Sequence, residues 1–138
     1  MCGVHLLVDS SASDDAAITN MVEACTHRGP DHSEIVQIKK GLFLASNRLK
    51  ISDLRDDANQ PIANEDRTAF LSWNGFIYNY QDLKNQLLEE GVVFKTRSDG
   101  EVLFHWLKQK GVKGISFIEG MFALVFVDIQ KSEIILAR

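Results

Sequence analysis

The 138-residue sequence has little cysteine or proline, with two residues of each, and no long apolar run. Cys2 and Cys25 are too few for a disulfide framework in a chain of this size, so we expect free thiols in a reducing compartment. No apolar run approaches the ~20 residues that span a bilayer, and residues 1–5 lack the basic region of a secretory signal. These absences predict a cytoplasmic protein with no membrane partner.

Positive charge is also scarce. Lysine and arginine total 15 against 19 acidic residues, which gives a formal net charge of −4. Binding to a phosphate backbone needs clustered cations, and the only adjacent lysine or arginine pair is Lys39-Lys40. We therefore expect no nucleic-acid partner. The length fits one domain that folds on its own.

Hydrophobic periodicity predicts an α+β fold in which antiparallel strands are covered by helices. Strands are predicted over residues 3–8, 35–38, 41–49, 69–73, 76–78, 92–95, 122–129 and 133–137. Helices are predicted over residues 14–25 and 80–90, and a third helix opens at a Ser98–Glu101 capping box.

Helix ends and buried faces follow from the same patterns. Ser13 and Asn79 are predicted N-caps, and Gly91 and Gly111 are predicted helix ends. Cys25 falls on the apolar face of the first helix and is predicted to lie in the core. The other apolar positions on the three helix faces are Ala17, Ile18, Met21, Val22, Leu83, Leu87, Leu88, Val102, Leu103, Trp106 and Leu107.

Cys2 is the most informative single residue. Removal of Met1 would leave a thiol and an unblocked α-amine on one residue, a nucleophile beside a base whose pKa is roughly 7.7–8.0. With Met1 retained, the nitrogen of Cys2 is an amide and cannot act as a base. On position alone, an incidental cysteine is the alternative.

Six motifs then agree with one family and occur in its order. They are Met1-Cys2-Gly3, His27-Arg28-Gly29-Pro30-Asp31, Arg48-Leu49-Lys50-Ile51 with Gln60-Pro61-Ile62, Asn74-Gly75-Phe76-Ile77-Tyr78-Asn79-Tyr80, Ser98-Asp99-Gly100-Glu101-Val102, and Gly120-Met121-Phe122-Ala123. The chain resembles the glutaminase domain of asparagine synthetases, a class II glutamine amidotransferase, over nearly its whole length. The resemblance implies an N-terminal-nucleophile hydrolase fold, an αββα sandwich of two antiparallel sheets between helical layers.

The resemblance implies catalytic roles for Cys2, Asn74 and Gly75. Cys2 would attack the side-chain amide of glutamine and form a thioester, with its own α-amine moving the proton. The Asn74 side-chain amide and the Gly75 backbone N–H would stabilise the oxyanion. On the residues alone, Asn74-Gly75 instead predicts a tight turn between two strands.

Substrate binding is implied at four positions, and no metal site is expected. Arg48 would hold the α-carboxylate of glutamine, and Asp99 would hold its α-ammonium. Ile51 and Phe76 are the other two substrate-binding positions. Without the family context, Arg48 would be a solvated charge at a strand end. Asp99 would then be an acidic residue that stabilises a helix end. In its substrate-binding role, the dipole of that helix is expected to keep it ionised.

Two further expectations concern the regions around the site. His27 and Arg28 have no second partner at metal-ligand spacing, so residues 27–31 are predicted to form a structural loop near the pocket. Phe76 departs from the family, in which a glutamate usually follows Asn-Gly and helps to hold the α-ammonium. A degenerate domain that acts as a binding module without glutaminase activity, or one that accepts a different amide, is therefore the alternative.

The resemblance also implies partners. Residues 1–138 are expected to be the N-terminal part of a longer synthetase, because the sequence stops at Arg138 directly after an apolar strand. No cofactor is expected in this domain, which has no Gly-rich phosphate loop; ATP and magnesium are expected only in the synthetase domain. A homodimer is an arrangement that the sequence leaves open.

Overall fold

The structure is a computed structural model that describes residues 2–11, 14–51 and 54–138. In chain order the described elements are β1 (Gly3–Val8), α1 (Ala16–Ala24), β2 (His32–Lys39), β3 (Leu42–Arg48), β4 (Ile62–Ala63), β5 (Ala69–Ile77), α2 (Tyr80–Glu89), α3 (Asp99–Lys110), β6 (Gly120–Asp128) and β7 (Glu133–Ala137). Short 3₁₀ turns cover Thr26–Arg28, Asp56–Ala58 and Gly111–Phe117. No helix in these ranges is long and apolar enough to cross a membrane.

The strands form two antiparallel sheets. One sheet has the order β1-β3-β2, and the other has the order β4-β5-β6-β7. The hairpin predicted near the end of the sequence is present as β6 and β7, which pair from Asp128–Glu133 to Leu124–Ala137. The first strand begins at Gly3, as predicted, and pairs with β3 so that Gly3 lies opposite Asn47.

The fold has four layers, which are α1, the first sheet, the second sheet and the helix pair α2–α3. An apolar cluster lies between each layer and the next. Ile18 and Val22 of α1 pack on Phe43 and Ala45 on the outer face of the first sheet. A second cluster lies between the sheets, and a third lies between the second sheet and the helix pair α2–α3. The predicted α+β fold with its αββα layering is therefore confirmed. Because β3 is covered on both sides, all seven of its residues are buried.

The predicted tight turn at Asn74-Gly75 is wrong. Both residues lie inside β5, which runs unbroken from Ala69 to Ile77 and pairs with β6 along its whole length. Gly75 has φ +151°, and a Cβ atom there would overlap the carbonyl oxygen of Met121 on β6. The glycine is therefore required by a close approach of two strands, and the chain does not reverse at this position.

The predicted strand at residues 92–95 is also absent. The N–H of Val92 donates to the carbonyl of Leu87 and closes the end of α2, while Lys95 N–H donates to the Glu101 carboxylate at 2.7 Å. Two of the N–H groups that would otherwise pair with a neighbouring strand are thus used by the two adjacent helices. Glu101 is only 8% exposed, and its buried carboxylate holds this segment by accepting the N–H groups of Lys95 and Thr96.

The helix ends match the sequence in part. Ser98 Oγ accepts from the Glu101 N–H at 3.2 Å, and Gly111 ends α3 with φ +59°, as predicted. Asn79 occupies the N-cap position of α2, but its side chain bonds Phe117 and Glu119 instead of capping the helix. The predicted N-cap Ser13 lies outside the described residues.

Some predicted core positions are wrong. Leu88 and Met21 are 50% and 37% exposed, Ala17 is exposed and Cys25 is only half-buried. The other eight apolar positions predicted on the three helix faces are buried: Ile18, Val22, Leu83, Leu87, Val102, Leu103, Trp106 and Leu107. The short α1 covers a three-stranded sheet with one face only, so the edge positions of its apolar stripe stay in solvent.

Candidate active site

A cleft of about 480 Å³ opens where β1 begins, β3 ends and α3 begins. It brings together all seven residues singled out from the sequence. They are Cys2, Arg48, Ile51, Asn74, Gly75, Phe76 and Asp99. Four different segments supply them, so the folded chain places side chains far apart in sequence around one volume.

Cys2 is held against the middle of β5. Its backbone nitrogen donates to Oδ1 of Asn74 at 2.9 Å, and its Sγ lies 4.0 Å from the carbonyl oxygen of Leu49. Because Oδ1 of Asn74 faces the Cys2 nitrogen, Nδ2 remains as the donor of this side chain. The half-buried thiol and an amide donor therefore line the same wall of the cleft.

Arg48 is buried at the end of β3, with only 6% of its surface exposed. Its Nη1 donates to the carbonyl of Arg55 at 3.0 Å and to Oδ1 of Asn59 at 2.6 Å. A solvated charge at a strand end would not be enclosed in this way. The guanidinium is a fixed cation beside the cleft, and its planar fork suits a carboxylate.

The segment at residues 27–31 supports Arg48 from behind. Pro30 forms a bridge with Arg48, and the N–H of Asp31 donates to the Arg48 carbonyl at 3.1 Å. The Asp31 carboxylate accepts from Lys50 N–H at 2.8 Å. A side chain at Gly29 would overlap the backbone of Asn47. The prediction of a structural loop near the pocket is therefore confirmed.

Asp99 occupies the first position of α3 and is half-buried. Its Oδ2 accepts from the N–H of Ile77 at 3.3 Å, which ties the helix start to the end of β5. Burial raises the pKa of the Asp99 carboxyl above its ordinary value, while backbone N–H groups of Ile77, Asp99 and Gly100 oppose that shift. The helix end was expected to favour the ionised form, but desolvation outweighs it.

Phe76 and Ile51 line the cleft with much of their surface open to solvent. Phe76 is 49% exposed, and its ring centre lies 6.0 Å from that of Tyr78. Ile51 is 73% exposed. Across the ladder from Phe76 is Met121, which also lines the cleft and is 67% exposed. This side of the cleft is therefore apolar.

Sequence reasoning assigned no site role to several lining residues, among them the polar Gln60. It is buried, and its Oε1 accepts from the N–H of Trp73 at 2.7 Å. Gln60 follows an irregular segment with no periodicity, so no local pattern marks its burial. Trp73 was predicted only as part of a strand, and its place in the cleft follows from the two-sheet packing.

Charge in the cleft is sparse and of both signs. Among the described residues that line it, Arg48, Arg138 and Asp99 carry charge, so Asp99 is the one carboxylate. A zwitterionic amino acid presents a carboxylate and an ammonium, which this pair of signs complements. A thiol and an amide donor in the same volume suit attack on a carbonyl group.

Comparison with known proteins gives consistent matches. The sequence profile of a family described as "Glutamine amidotransferase domain" matches residues 1–138. The chain is 35% identical to asparagine synthetase [glutamine-hydrolyzing] 2 of Arabidopsis thaliana, covering 100% of this chain and 24% of the relative. It is 36% identical to asparagine synthetase [glutamine-hydrolyzing] 2 of Bacillus subtilis (strain 168), covering 100% of this chain and 19% of the relative.

Solved structures are similar as well. A glutamine phosphoribosylpyrophosphate (PRPP) amidotransferase from B. subtilis, complexed with ADP and GMP, aligns with a TM-score of 0.56 and 27% identity. The alignment covers 71% of this chain and 23% of that one. The chain therefore spans about a quarter or less of the length of the proteins it matches.

Proposed function

The chain belongs to the glutamine amidotransferase domain family, and from this membership we propose that it hydrolyses the side-chain amide of glutamine to glutamate and ammonia. The resemblance to asparagine synthetases that the motifs indicated is confirmed by identities of 35% and 36% over the whole chain. The N-terminal-nucleophile hydrolase fold is confirmed by the likeness to the PRPP amidotransferase. The proposal depends most on one observation, the hydrogen bond between the Cys2 nitrogen and Asn74.

The first half of the reaction requires removal of Met1, a residue outside the described ranges. The freed α-amine of Cys2 takes the thiol proton, and Sγ attacks the amide carbon of glutamine. Nδ2 of Asn74 and the N–H of Gly75 stabilise the resulting oxyanion. The carbon–nitrogen bond then breaks, ammonia leaves with the proton carried by the amine, and a thioester to Cys2 remains.

The second half consumes water. The α-amine takes a proton from a water molecule as its oxygen attacks the thioester carbon. The carbon–sulfur bond breaks, the proton returns to sulfur, and glutamate is released. The sum is glutamine plus water giving glutamate plus ammonia, with the thiol regenerated. Asn74 contributes to both halves, because its Oδ1 holds the nitrogen that moves the protons.

Substrate is held by its two charged groups. Arg48 binds the α-carboxylate, and its bonds to Arg55 and Asn59 keep the guanidinium in place before glutamine arrives. Asp99 binds the α-ammonium, whose charge favours the ionised form of a carboxyl with a raised pKa. Ile51 and Phe76 form the remaining contacts.

The ammonia passes to a second domain. Because the relatives are about four to five times as long as this chain, residues 1–138 would be the N-terminal part of a longer synthetase of the asparagine synthetase type. ATP and magnesium would bind in that synthetase domain and not in this one. A cytoplasmic location accords with two free cysteines, and a homodimer is the assembly to test first.

The alternative of a binding module without glutaminase activity is not favoured. Phe76 and retention of Met1 motivate it, but both synthetases named above carry "glutamine-hydrolyzing" in their names. Phe76 removes one contact to the ammonium and leaves Cys2, Asn74 and Arg48 in place.

The test is glutamate release by protein whose mass shows that Met1 is absent. We expect turnover in this protein, none in Cys2→Ala, and unchanged turnover in Cys25→Ala, the matched thiol outside the cleft. The glutamine analogue 6-diazo-5-oxonorleucine should add once, on Cys2. Processed protein that neither releases glutamate nor reacts with the analogue would overturn the proposal.

A further inference from the structure

Gln60 is fixed from two sides in the floor of the cleft. Its side chain is enclosed, with 7% of the residue exposed, and its Oε1 accepts from the N–H of Trp73 at 2.7 Å. Its backbone carbonyl accepts from the hydroxyl of Ser46. These bonds to β3 and β5 determine which way the side-chain amide faces, because Oε1 is committed to Trp73.

The other end of the amide has no partner within the protein. Nε2 of Gln60 makes no hydrogen bond to any residue that the structure describes, although it carries two N–H groups. No fully enclosed side-chain nitrogen or oxygen in the described ranges lacks a partner, so Nε2 must reach open volume. The open volume that Gln60 lines is the cleft.

Gln60 lies between the part of the site that would hold the α-carboxylate, at Arg48, and the part that would hold the oxyanion, at Asn74. Asn59, its neighbour in the chain, accepts from Nη1 of Arg48 at 2.6 Å, and Trp73, its bonding partner, precedes Asn74. The oxyanion already has two donors, from Asn74 and Gly75. The α-carboxylate of glutamine can accept up to about four hydrogen bonds, and in the proposed function only Arg48 donates to it.

We infer that Nε2 of Gln60 donates a hydrogen bond to the α-carboxylate of glutamine, beside Arg48. This inference rests on the proposed function and adds a substrate-binding residue to it. A donor to the α-carboxylate is used equally in the ground state and in the transition state. Its loss should therefore raise KM and leave kcat unchanged.

Two substitutions separate this role from others. Gln60→Glu keeps an acceptor for the Trp73 N–H and replaces the donor with an oxygen. Gln60→Met has a similar length, no donor and no added charge. Measured by calorimetry in a Cys2→Ala background, both should bind L-glutamine at least about tenfold more weakly than Cys2→Ala alone. Gln86→Glu, the same exchange on the exposed face of α2, should bind as the parent does.

The possible results of these measurements each support or contradict the proposed donor role of Gln60. Weakening in Gln60→Glu alone would indicate charge repulsion and overturn the donor role, and equal affinities in all variants would overturn it as well. In Met1-free protein with Cys2 intact, a lower kcat at unchanged KM would place the donor at the amide and overturn the assignment to the carboxylate. Circular dichroism confirms that each variant folds; should Gln60→Met not fold, Gln60→Leu, which also lacks a donor and adds no charge, takes its place. Failure of the Cys2→Ala parent to bind glutamine would overturn the proposed function itself.

Discussion

The backbone nitrogen of Cys2 donates a hydrogen bond to Oδ1 of Asn74 at 2.9 Å, across 72 positions of sequence. A side chain from the centre of β5 thereby holds the start of the chain against the cleft. The same bond fixes the orientation of the Asn74 amide and leaves Nδ2 as its donor. One residue thus links the nitrogen that would act as a base to the donor that would stabilise an oxyanion.

The first prediction concerns that donor. Asn74→Asp keeps an oxygen for the Cys2 nitrogen but removes the N–H groups of Nδ2. We expect kcat for glutamine hydrolysis to fall about 10²–10³-fold with little change in KM, because the lost bond forms in the transition state. Steady-state kinetics of Met1-free protein provides the measurement.

A matched exchange controls for this change. Asn85→Asp lies on the exposed face of α2 and should retain full activity. An Asn74→Asp protein as active as Asn85→Asp would show that Nδ2 has no part in the reaction. Equal loss of activity in both variants would point to the added charge and not to the missing donor.

The second prediction concerns the close approach of β5 and β6 at Gly75. Gly75→Ala would push a Cβ atom into the backbone of Met121, so β5 and β6 would have to separate. We expect a loss of more than about 4 kcal/mol in the free energy of unfolding, since backbone cannot move aside cheaply. Gly91→Ala is the control: φ is +86° there, but nothing lies within 4 Å of the added carbon. It should cost only about 1–2 kcal/mol.

Denaturant unfolding followed by circular dichroism measures both variants. Similar losses for Gly75→Ala and Gly91→Ala would show that φ alone, and not the approach of β6, requires glycine at position 75. A Gly75→Ala protein that unfolds like the parent would contradict the close approach of the two strands.

Much of the fold could be predicted from local patterns, because it depends on local signals. Ser98 and Gly111 bracket α3 as expected, since a cap and a left-handed glycine act within one helix turn. Asn74-Gly75 was predicted as a turn because this dipeptide favours one, yet strand pairing with β6 decides its conformation. Residues 92–95 do not form a strand because the N–H groups at the two ends have other acceptors. The Val92 N–H donates to the Leu87 carbonyl, and the Lys95 N–H donates to the Glu101 carboxylate.

The site likewise has residues that sequence motifs identify and features that appear only in the folded structure. The motifs named Cys2, Arg48 and Asp99, and the structure brings all three to one cleft. Gln60 could not be singled out as polar and enclosed, because its burial depends on β3 and β5 lying on either side of it. The raised pKa of Asp99 was equally hidden, since desolvation is a property of the packed cleft.

The third prediction is a pH dependence of binding. Burial raises the pKa of Asp99, and only the ionised form attracts the α-ammonium of glutamine. As pH falls, binding to Cys2→Ala protein should therefore weaken, beginning at a higher pH than the ordinary aspartate value of about 3.9 would give. Calorimetric titrations across this range measure the change.

Two variants define the origin of that dependence. Asp99→Asn should bind weakly at every pH, with a flat profile. Asp82→Asn removes an aspartate from the first turn of α2, an exposed position outside the cleft, and should keep the parent profile. An Asp99→Asn protein that retains the parent's pH dependence would assign the titration to another group.

The fourth prediction concerns stability. Because the pKa of Asp99 is higher in the folded than in the unfolded chain, the folded state binds this proton more tightly. Its ionised form therefore costs stability above the folded pKa, and that cost disappears as pH falls below the unfolded value. Asp99→Asn should raise the free energy of unfolding at neutral pH and lose this advantage in acid. A variant less stable than the parent at neutral pH would contradict the raised pKa.

The fifth prediction concerns Phe76, an apolar side chain that lines the same cleft as Asp99. Phe76 is half exposed and contacts Tyr78 through a ring pair 6.0 Å apart, so a substitution here costs little packing. Phe76→Glu would add a second carboxylate for the α-ammonium, and KM for glutamine should fall about 10- to 150-fold. Phe76→Gln has the same shape without the charge and should leave KM near the parent value. If Gln lowers KM as much as Glu does, removal of the ring and not the new charge improves binding; if neither changes KM, position 76 does not contact the ammonium.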